Sequence, residues 1–256
     1  MITVPEITLE RIQCARGEGE ELPELARRAA EGMGEGVGAV IAASFSSPRR
    51  FPSVAVEISS FLKLPVSTPA FDIQMACSAF PYAVYLAGKI AADTGKKVLL
   101  IDGDVHSRLV DAGDRATSGI FSDACTATVV GVGEGTSRFS FLSCHDEALS
   151  CTAAGPVKMD GFKVFSFVAT EVTSFLRPFG ADFEHFVPHQ ANPYMVRQLS
   201  MSLGLSEKLA VLPERIKNPG SCSIPMAIAE CGIRGRALIA GFGAGYSAAA
   251  GIVRIK

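Results

Sequence analysis

Short, almost wholly apolar runs alternate with amphipathic stretches along much of this chain, the rhythm of buried strands covered by helices. Val37 to Ser44 reads as a strand buried on both faces. A turn holding Pro48 and Pro52 follows, then an amphipathic helix through Leu62. Next come a strand near Phe71, a small-residue turn at Met75-Ala76-Cys77-Ser78, a helix from Pro81 to Ala92 and a strand from Lys97 to Asp102. Pro81 falls in the first helical turn, where a missing N–H does no harm, and Gly95 supplies the stop. The opening Met1 to Gly36 is charged and glycine-rich, with helical periodicity only around Leu22 to Met33, and reads as peripheral. Val130 to Asp160 is weakly patterned and reads as crossover and loop, whereas Gly161 to Phe179 is expected to be a helix with Phe162, Phe165, Val168 and Phe175 on its apolar face.

The pattern repeats. Pro52 to Leu64 lies over Pro193 to Leu205 without a gap, so that the prolines, Ile58 and Leu199, Ser59 and Ser200, and Leu62 and Leu203 coincide. The Cys77 turn with Pro81 lies over the Ser221 turn with Pro225, and the strands Val98-Leu-Leu-Ile and Ala237-Leu-Ile-Ala follow each. Two pairs in the same order indicate duplicated halves, 1–130 and 131–256.

Composition narrows the class. At 256 residues and 48% hydrophobic content, a large core is available to one compact domain or two fused halves. A net charge of -2 offers no field for nucleic acid. Seven cysteines, without a C-x-x-C pair or a secretory signal, indicate a reducing cytoplasmic setting, and no apolar run is long enough to cross a bilayer.

The candidate chemistry sits in turns. Cys77 stands at a helix start, where unpaired N–H groups and the helix dipole favour thiolate, although most cysteines met singly are small buried hydrophobes. His189, in Pro188-His189-Gln190-Ala191-Asn192, would alone be an ordinary core histidine, and Asn218 alone a turn residue ahead of Pro219. Gly241-Phe-Gly-Ala-Gly has too little chain after it for a dinucleotide-binding unit. Cys144-His145-Asp146 with Cys151 lacks a fourth ligand at zinc spacing, and Asp102-Gly-Asp104-Val-His106 reads as a strand-end turn rather than a magnesium site.

Four segments in order, Asp72-Ile-Gln-Met-Ala-Cys77-Ser-Ala-Phe, Val187-Pro-His189-Gln-Ala-Asn192, Asn218-Pro-Gly-Ser-Cys-Ser-Ile-Pro225 and Gly241-Phe-Gly-Ala-Gly-Tyr246, resemble the 3-ketoacyl carrier-protein synthase III family of thiolase-fold condensing enzymes. The resemblance runs from about Ile7 to the C-terminus and includes Phe51-Pro-Ser and Asp114-Arg115-Ala-Thr. It implies a five-layered αβαβα α/β fold of two duplicated halves, and a dimer. It implies Cys77 as nucleophile, His189 and Asn218 as donors to an enolate, and the backbone N–H groups of Cys77 and Ala244 as an oxyanion hole. Phe51, Phe80 and Phe242 would border the acyl group, and Arg115 would contact coenzyme A. No cofactor or metal is implied; the substrates would be an acyl thioester of coenzyme A or acyl carrier protein and a malonyl thioester.

The chain departs from the family's pattern by a reduced N-terminus without tryptophan, and by Tyr194, Met201 and Ser202 where basic residues that dock the carrier are usual, with Arg197 one turn from Tyr194. Three functions are therefore weighed: decarboxylating Claisen condensation to a 3-ketoacyl thioester in fatty-acid or secondary-metabolite synthesis, acyl transfer from Cys77 to an alcohol or amine with His189 as base, and a partner-dependent subunit of a heterodimer.

Overall fold

The computed structural model describes residues 1–17, 19–152 and 155–256. In chain order its main elements are β1 (Ile2–Arg16), α1 (Leu22–Ala30), β2 (Val37–Ala43), α2 (Val54–Phe61), β3 (Ala70–Ile73), α3 (Ala79–Thr94), β4 (Lys97–Asp104) and β5 (Ala124–Ser143). A small ribbon, β6 (Leu149–Ser150) with β7 (Lys158–Met159), precedes α4 (Gly161–Phe167) and α5 (Thr173–Leu176), which one π-helical turn joins. Then come β8 (His185–Pro188), α6 (Pro193–Leu203), α7 (Ser223–Glu230), β9 (Gly235–Gly243) and β10 (Ser247–Ile255). The other eight strands form one sheet in the order β3-β2-β4-β5-β1-β10-β9-β8.

Three cores stack the elements into five layers. A central core joins Ala83, Val84 and Ala87 of α3 and Met226, Ala227 and Ile228 of α7 to Ile41 and Leu100 on one side and Ile239 on the other. These two helices therefore lie between the half-sheets. A second core packs α1 and α2 on the outer face of β2, β4 and β5, and a third packs α4, α5 and α6 on β8, β9 and β10. The chain thus has the thiolase-like αβαβα architecture, and residue 130, the proposed boundary between halves, lies within β5.

Local chemistry explains the helix ends. Asn192 caps α6 by accepting the Met195 N–H at 2.8 Å, and Gly95 and Gly204 adopt the left-handed conformation that closes α3 and α6. The internal repeat has a backbone counterpart as well. Ala76, before Cys77, has φ of 43°, and Gly220, before Ser221, has φ of 69°, each opening a short 3-10 turn that leads into a central helix.

Three expectations are corrected. The opening segment is not peripheral: β1 lies between β5 and β10, with Ile7 and Leu9 buried, because charged residues on a long strand face outward while alternate positions enter the core. The first part of the weakly patterned stretch, Val130 to Ser143, belongs to β5, whose glycines and serines concealed a strand running antiparallel to β1 from Ala124 to Phe139. Phe162 is exposed; the buried face of its helical segment is Val164, Phe167, Val168, Val172 and Leu176.

Candidate active site

Three turns converge at the C-terminal end of β9. The Cys77 turn packs so tightly there that a Cβ at Gly241 would stand 3.0 Å from the Cys77 carbonyl, and one at Gly243 would stand 2.9 Å from Cys77 Cβ and 3.3 Å from Sγ. His189 follows β8, donates its N–H to Ala240 O at 2.7 Å and sets its ring edge-on to Phe242. Asn218 is held by its own backbone, its N–H donating to Ile120 O and its carbonyl accepting from Ser122, both at 3.0 Å. The turn that begins at Gly220 packs against the Cys77 turn. All three side chains belong to buried residues.

The thiol faces two donors. The N–H groups of Ala244 and of Cys77 itself lie against Sγ and favour its charged form. Positive φ is needed on either side of Ala244, at Gly243 and Gly245, and not at Ala244, so the alanine fits. The expectation of a lowered Cys77 pKa is overturned. Burial pushes the thiol up to about 12, Asp104 adds to the rise, and the two N–H groups offset only part of it. A helix terminus contributes about 0.3–1 kcal/mol, whereas burial can move a pKa by about 3–5 units. Cys77 is a thiol at rest.

Both donor side chains are oriented by a neighbour. Ser223 Oγ accepts the Gln190 N–H at 3.2 Å and lies 2.8 Å from His189 Nδ1. The fully buried serine hydroxyl needs an acceptor, which Nδ1 supplies, so the imidazole carries its proton on Nε2. Burial lowers the His189 pKa to about 3, with His106 adding to the fall, so the ring stays neutral and Nε2–H is a donor. Asn218 Oδ1 accepts the Gly220 N–H at 2.9 Å, which leaves the Asn218 NH₂ as the outward group.

Beside Cys77 lies a cavity of about 340 Å³, with Met75, Phe45, Phe121, Leu149 and His106 among its walls. A second, of about 650 Å³, runs from Tyr194, Arg197 and Met201 past Lys217 to Asn218. The structure does not bring the other expected contacts to the first cavity. Phe51 is 83% exposed, Arg115 is exposed on a loop, Phe80 is buried in the central core, and Phe242 supports His189 instead. Phe45 and Phe121 are the aromatic walls; neither belongs to a segment that carried chemistry in the sequence. Ser223 lies inside the Asn218 to Pro225 segment, but as one of two serines around Cys222 it had no feature in the sequence to single it out. Gly241-Phe-Gly-Ala-Gly ends β9 and leads through a short turn into the antiparallel β10, which is not a dinucleotide-binding unit.

Asp104 underlies the site. Its Oδ1 accepts from Ser44 Oγ at 2.8 Å and Phe45 N at 3.0 Å, and its Oδ2 from Ser221 Oγ at 3.1 Å, which ties β2, β4 and the Ser221 turn together. Asp102, two residues earlier, is fully buried, and burial raises its pKa well above the carboxylate range, the neighbouring Ser221 hydroxyl opposing the rise and Asp104 adding to it.

The sequence matches the family model described as 3-oxoacyl-[acyl-carrier-protein] synthase III over residues 71–147 and its C-terminal model over residues 180–255. A β-ketoacyl-[acyl-carrier-protein] synthase III from Deinococcus radiodurans is 34% identical, the match covering 83% of this chain and 72% of the relative. The Shewanella oneidensis protein of the same description is 32% identical over 84% of this chain and 76% of its own. Among solved structures, β-ketoacyl-[acyl-carrier-protein] synthase III from Thermus thermophilus superposes with a TM-score of 0.80 at 30% identity, covering 93% of this chain and 85% of that one. The 3-oxoacyl-(acyl-carrier protein) synthase of Burkholderia xenovorans reaches a TM-score of 0.89 at 23% identity, covering 99% and 95% of the two chains.

Proposed function

The chain belongs to the 3-oxoacyl-[acyl-carrier-protein] synthase III family, and we propose that it is a decarboxylating condensing enzyme that primes on Cys77 and extends with a malonyl thioester. Cys77 Sγ attacks the carbonyl carbon of an acyl thioester; the bond to the carrier sulfur breaks, and the thiol proton departs with the carrier thiol. In the second half-reaction the bond between the malonyl methylene carbon and its carboxylate breaks, carbon dioxide leaves, and the electron pair enters the thioester as an enolate. That carbon attacks the acyl carbon on Cys77. The tetrahedral oxyanion, held by the N–H groups of Cys77 and Ala244, expels the Cys77 thiolate, which takes up a proton, and a 3-ketoacyl thioester is released.

One observation carries this reading. The acceptor atoms of His189 and Asn218 are both occupied, by Ser223 and by Gly220, which leaves N–H as the hydrogen-bonding group each side chain can offer, the kind of donor that an enolate oxygen needs. Acyl transfer to an alcohol or amine would instead need a free lone pair on His189 Nε2 to act as base, and the Ser223 hydrogen bond opposes that tautomer.

The steps are nucleophilic and electrostatic and require no cofactor. In this reading a carrier thioester, from coenzyme A or acyl carrier protein, enters past Tyr194, Arg197 and Lys217 through the larger cavity, which reaches Asn218. Pairing as a homodimer rests on the family resemblance, and the unpaired side of β3, at the end of the sheet with Phe71 part-exposed, is the edge available for it. The test is intact-mass analysis with a panel of acyl thioesters, for wild type and Cys77→Ala, followed by malonyl thioester with carbon dioxide measured. An adduct lost in Cys77→Ala, then carbon dioxide release, is expected; an adduct that transfers to an alcohol or amine without carbon dioxide would overturn the proposal.

A further inference from the structure

Two separate sets of hydrogen bonds hold the site together. Ser78 Oγ lies 2.9 Å from Met75 O and 2.7 Å from Ser247 Oγ, and Ser247 donates in turn to Ala244 O at 3.0 Å. That set joins the turn carrying Cys77 to the turn carrying Ala244. The second set centres on Asp104, fully buried at the end of β4, whose carboxylate takes protons from Ser44 Oγ, the Phe45 N–H and Ser221 Oγ. Burial keeps Asp102, the other carboxyl near Ser221, protonated, so the single Ser221 proton is left for Asp104.

Ser221 is the contact that reaches both donor side chains. It follows Gly220, whose N–H occupies Asn218 Oδ1, and stands two residues before Ser223, whose hydroxyl lies against His189 Nδ1. The turn also rests on the carboxylate itself, since a Cβ at Gly220 would stand 3.2 Å from Asp104 Oδ2. One short turn therefore orients Asn218 and His189 together. Its central hydroxyl is tied to a carboxylate 117 positions away in the chain, in the half that carries Cys77.

From this geometry we infer that Asp104 is a positioning residue: through Ser221 it sets where Asn218 and His189 offer their N–H groups, and so governs decarboxylation separately from acylation of Cys77. The inference rests on the proposed condensing reaction and adds the group that aligns its second step. A misplacement of about 1 Å that begins away from the chemistry can cost about a hundredfold in rate, and here two donors must meet one enolate oxygen. Asp104 also holds the N–H of Phe45, a wall of the cavity beside Cys77, so a change at Asp104 touches the acyl site as well. Ser221 is the place where the tie to the donors can be cut alone.

The experiment measures two rates apart: Cys77 acylation by intact mass with acyl-coenzyme A thioesters, and carbon dioxide release when malonyl thioester is added to the acylated enzyme. Ser221→Ala should keep acylation and lower carbon dioxide release roughly tenfold, the loss of about one hydrogen bond. Asp104→Asn, which replaces the charged acceptor by a neutral carboxamide, should lower that release by a similar factor. The two substitutions together should cost little more than one of them, because they break the same contact. Ser221→Ala alone decides the matter if Asp104→Asn fails to fold. Equal slowing of both steps in Ser221→Ala, no change in either step, or effects that multiply in the double variant would show a structural tie only and overturn the inference while leaving the condensing reaction intact. An acyl adduct without carbon dioxide release in wild type would overturn the proposed function and this inference with it.

Discussion

Ser223 Oγ lies 2.8 Å from His189 Nδ1, and that contact decides which nitrogen of the imidazole carries the proton. Ser223→Ala should release His189 to sample both tautomers. The expected result is a decarboxylation rate lower by roughly tenfold, the loss of about one hydrogen bond, with Cys77 acylation retained. The readout specific to orientation is the pair of His189 nitrogen resonances, which should move from a single Nε2–H form in wild type to a mixture. Unchanged resonances beside a slower reaction would mean Ser223 acts some other way.

Asn218→Ala removes the second donor proposed for the enolate but leaves the groups around Cys77 Sγ in place. Acylation measured by intact mass should persist, while carbon dioxide release from the malonyl thioester falls roughly a hundredfold to a thousandfold. Equal loss of both steps would contradict the role assigned to Asn218.

Gly243 and Gly245 flank Ala244, whose N–H is proposed to hold the oxyanion, and should respond differently to alanine. At Gly243, φ is 153° and the new Cβ would stand 2.9 Å from Cys77 Cβ, so strain of about 1–3 kcal/mol is joined by displacement of the nucleophile. At Gly245, φ is 69° with no atom within 4 Å of a Cβ, so only the backbone cost of about 1–2 kcal/mol applies. Gly243→Ala should lose Cys77 acylation, and Gly245→Ala should keep it at reduced melting temperature.

Stability should fall on the acid side because of His189. Its pKa drops from 6.5 to about 3 on folding, so below 6.5 the unfolded chain binds a proton that the folded chain refuses. Stability present above that value is then lost progressively as the pH falls toward 3. His189→Gln, neutral throughout, should lose about 2 kcal/mol less than wild type between pH 7 and pH 5. Urea titrations at the two pH values give the comparison; His106, lowered in the same direction, and Asp102, raised, are common to both proteins and cancel.

Much of the fold was legible because strong local signals agreed with the tertiary arrangement. The helix that Gly95 stops, the buried runs of β2 and β4 and the prolines shared by the two halves all report short-range chemistry. β1 and β5 were not legible for the opposite reason. Their polar positions face outward or along the long antiparallel pair, and what holds them is hydrogen bonding between residues more than a hundred positions apart, such as Ile7 and Val132. The Cys77 pKa was misjudged because a helix terminus can be read from sequence, but the depth of burial that outweighs it cannot.

The amino-acid sequence by itself determined the duplicated strand-and-helix plan and the turns holding Cys77, His189 and Asn218, since both depend on neighbours close in the chain. Only the tertiary structure decided that Ser223 orients His189 and that His106 with Phe45 and Phe121 lines the cavity beside the thiol. Hydrogen-bond direction, burial and the shape of a cavity arise between segments distant in the chain, and no spacing of residue types along it records them.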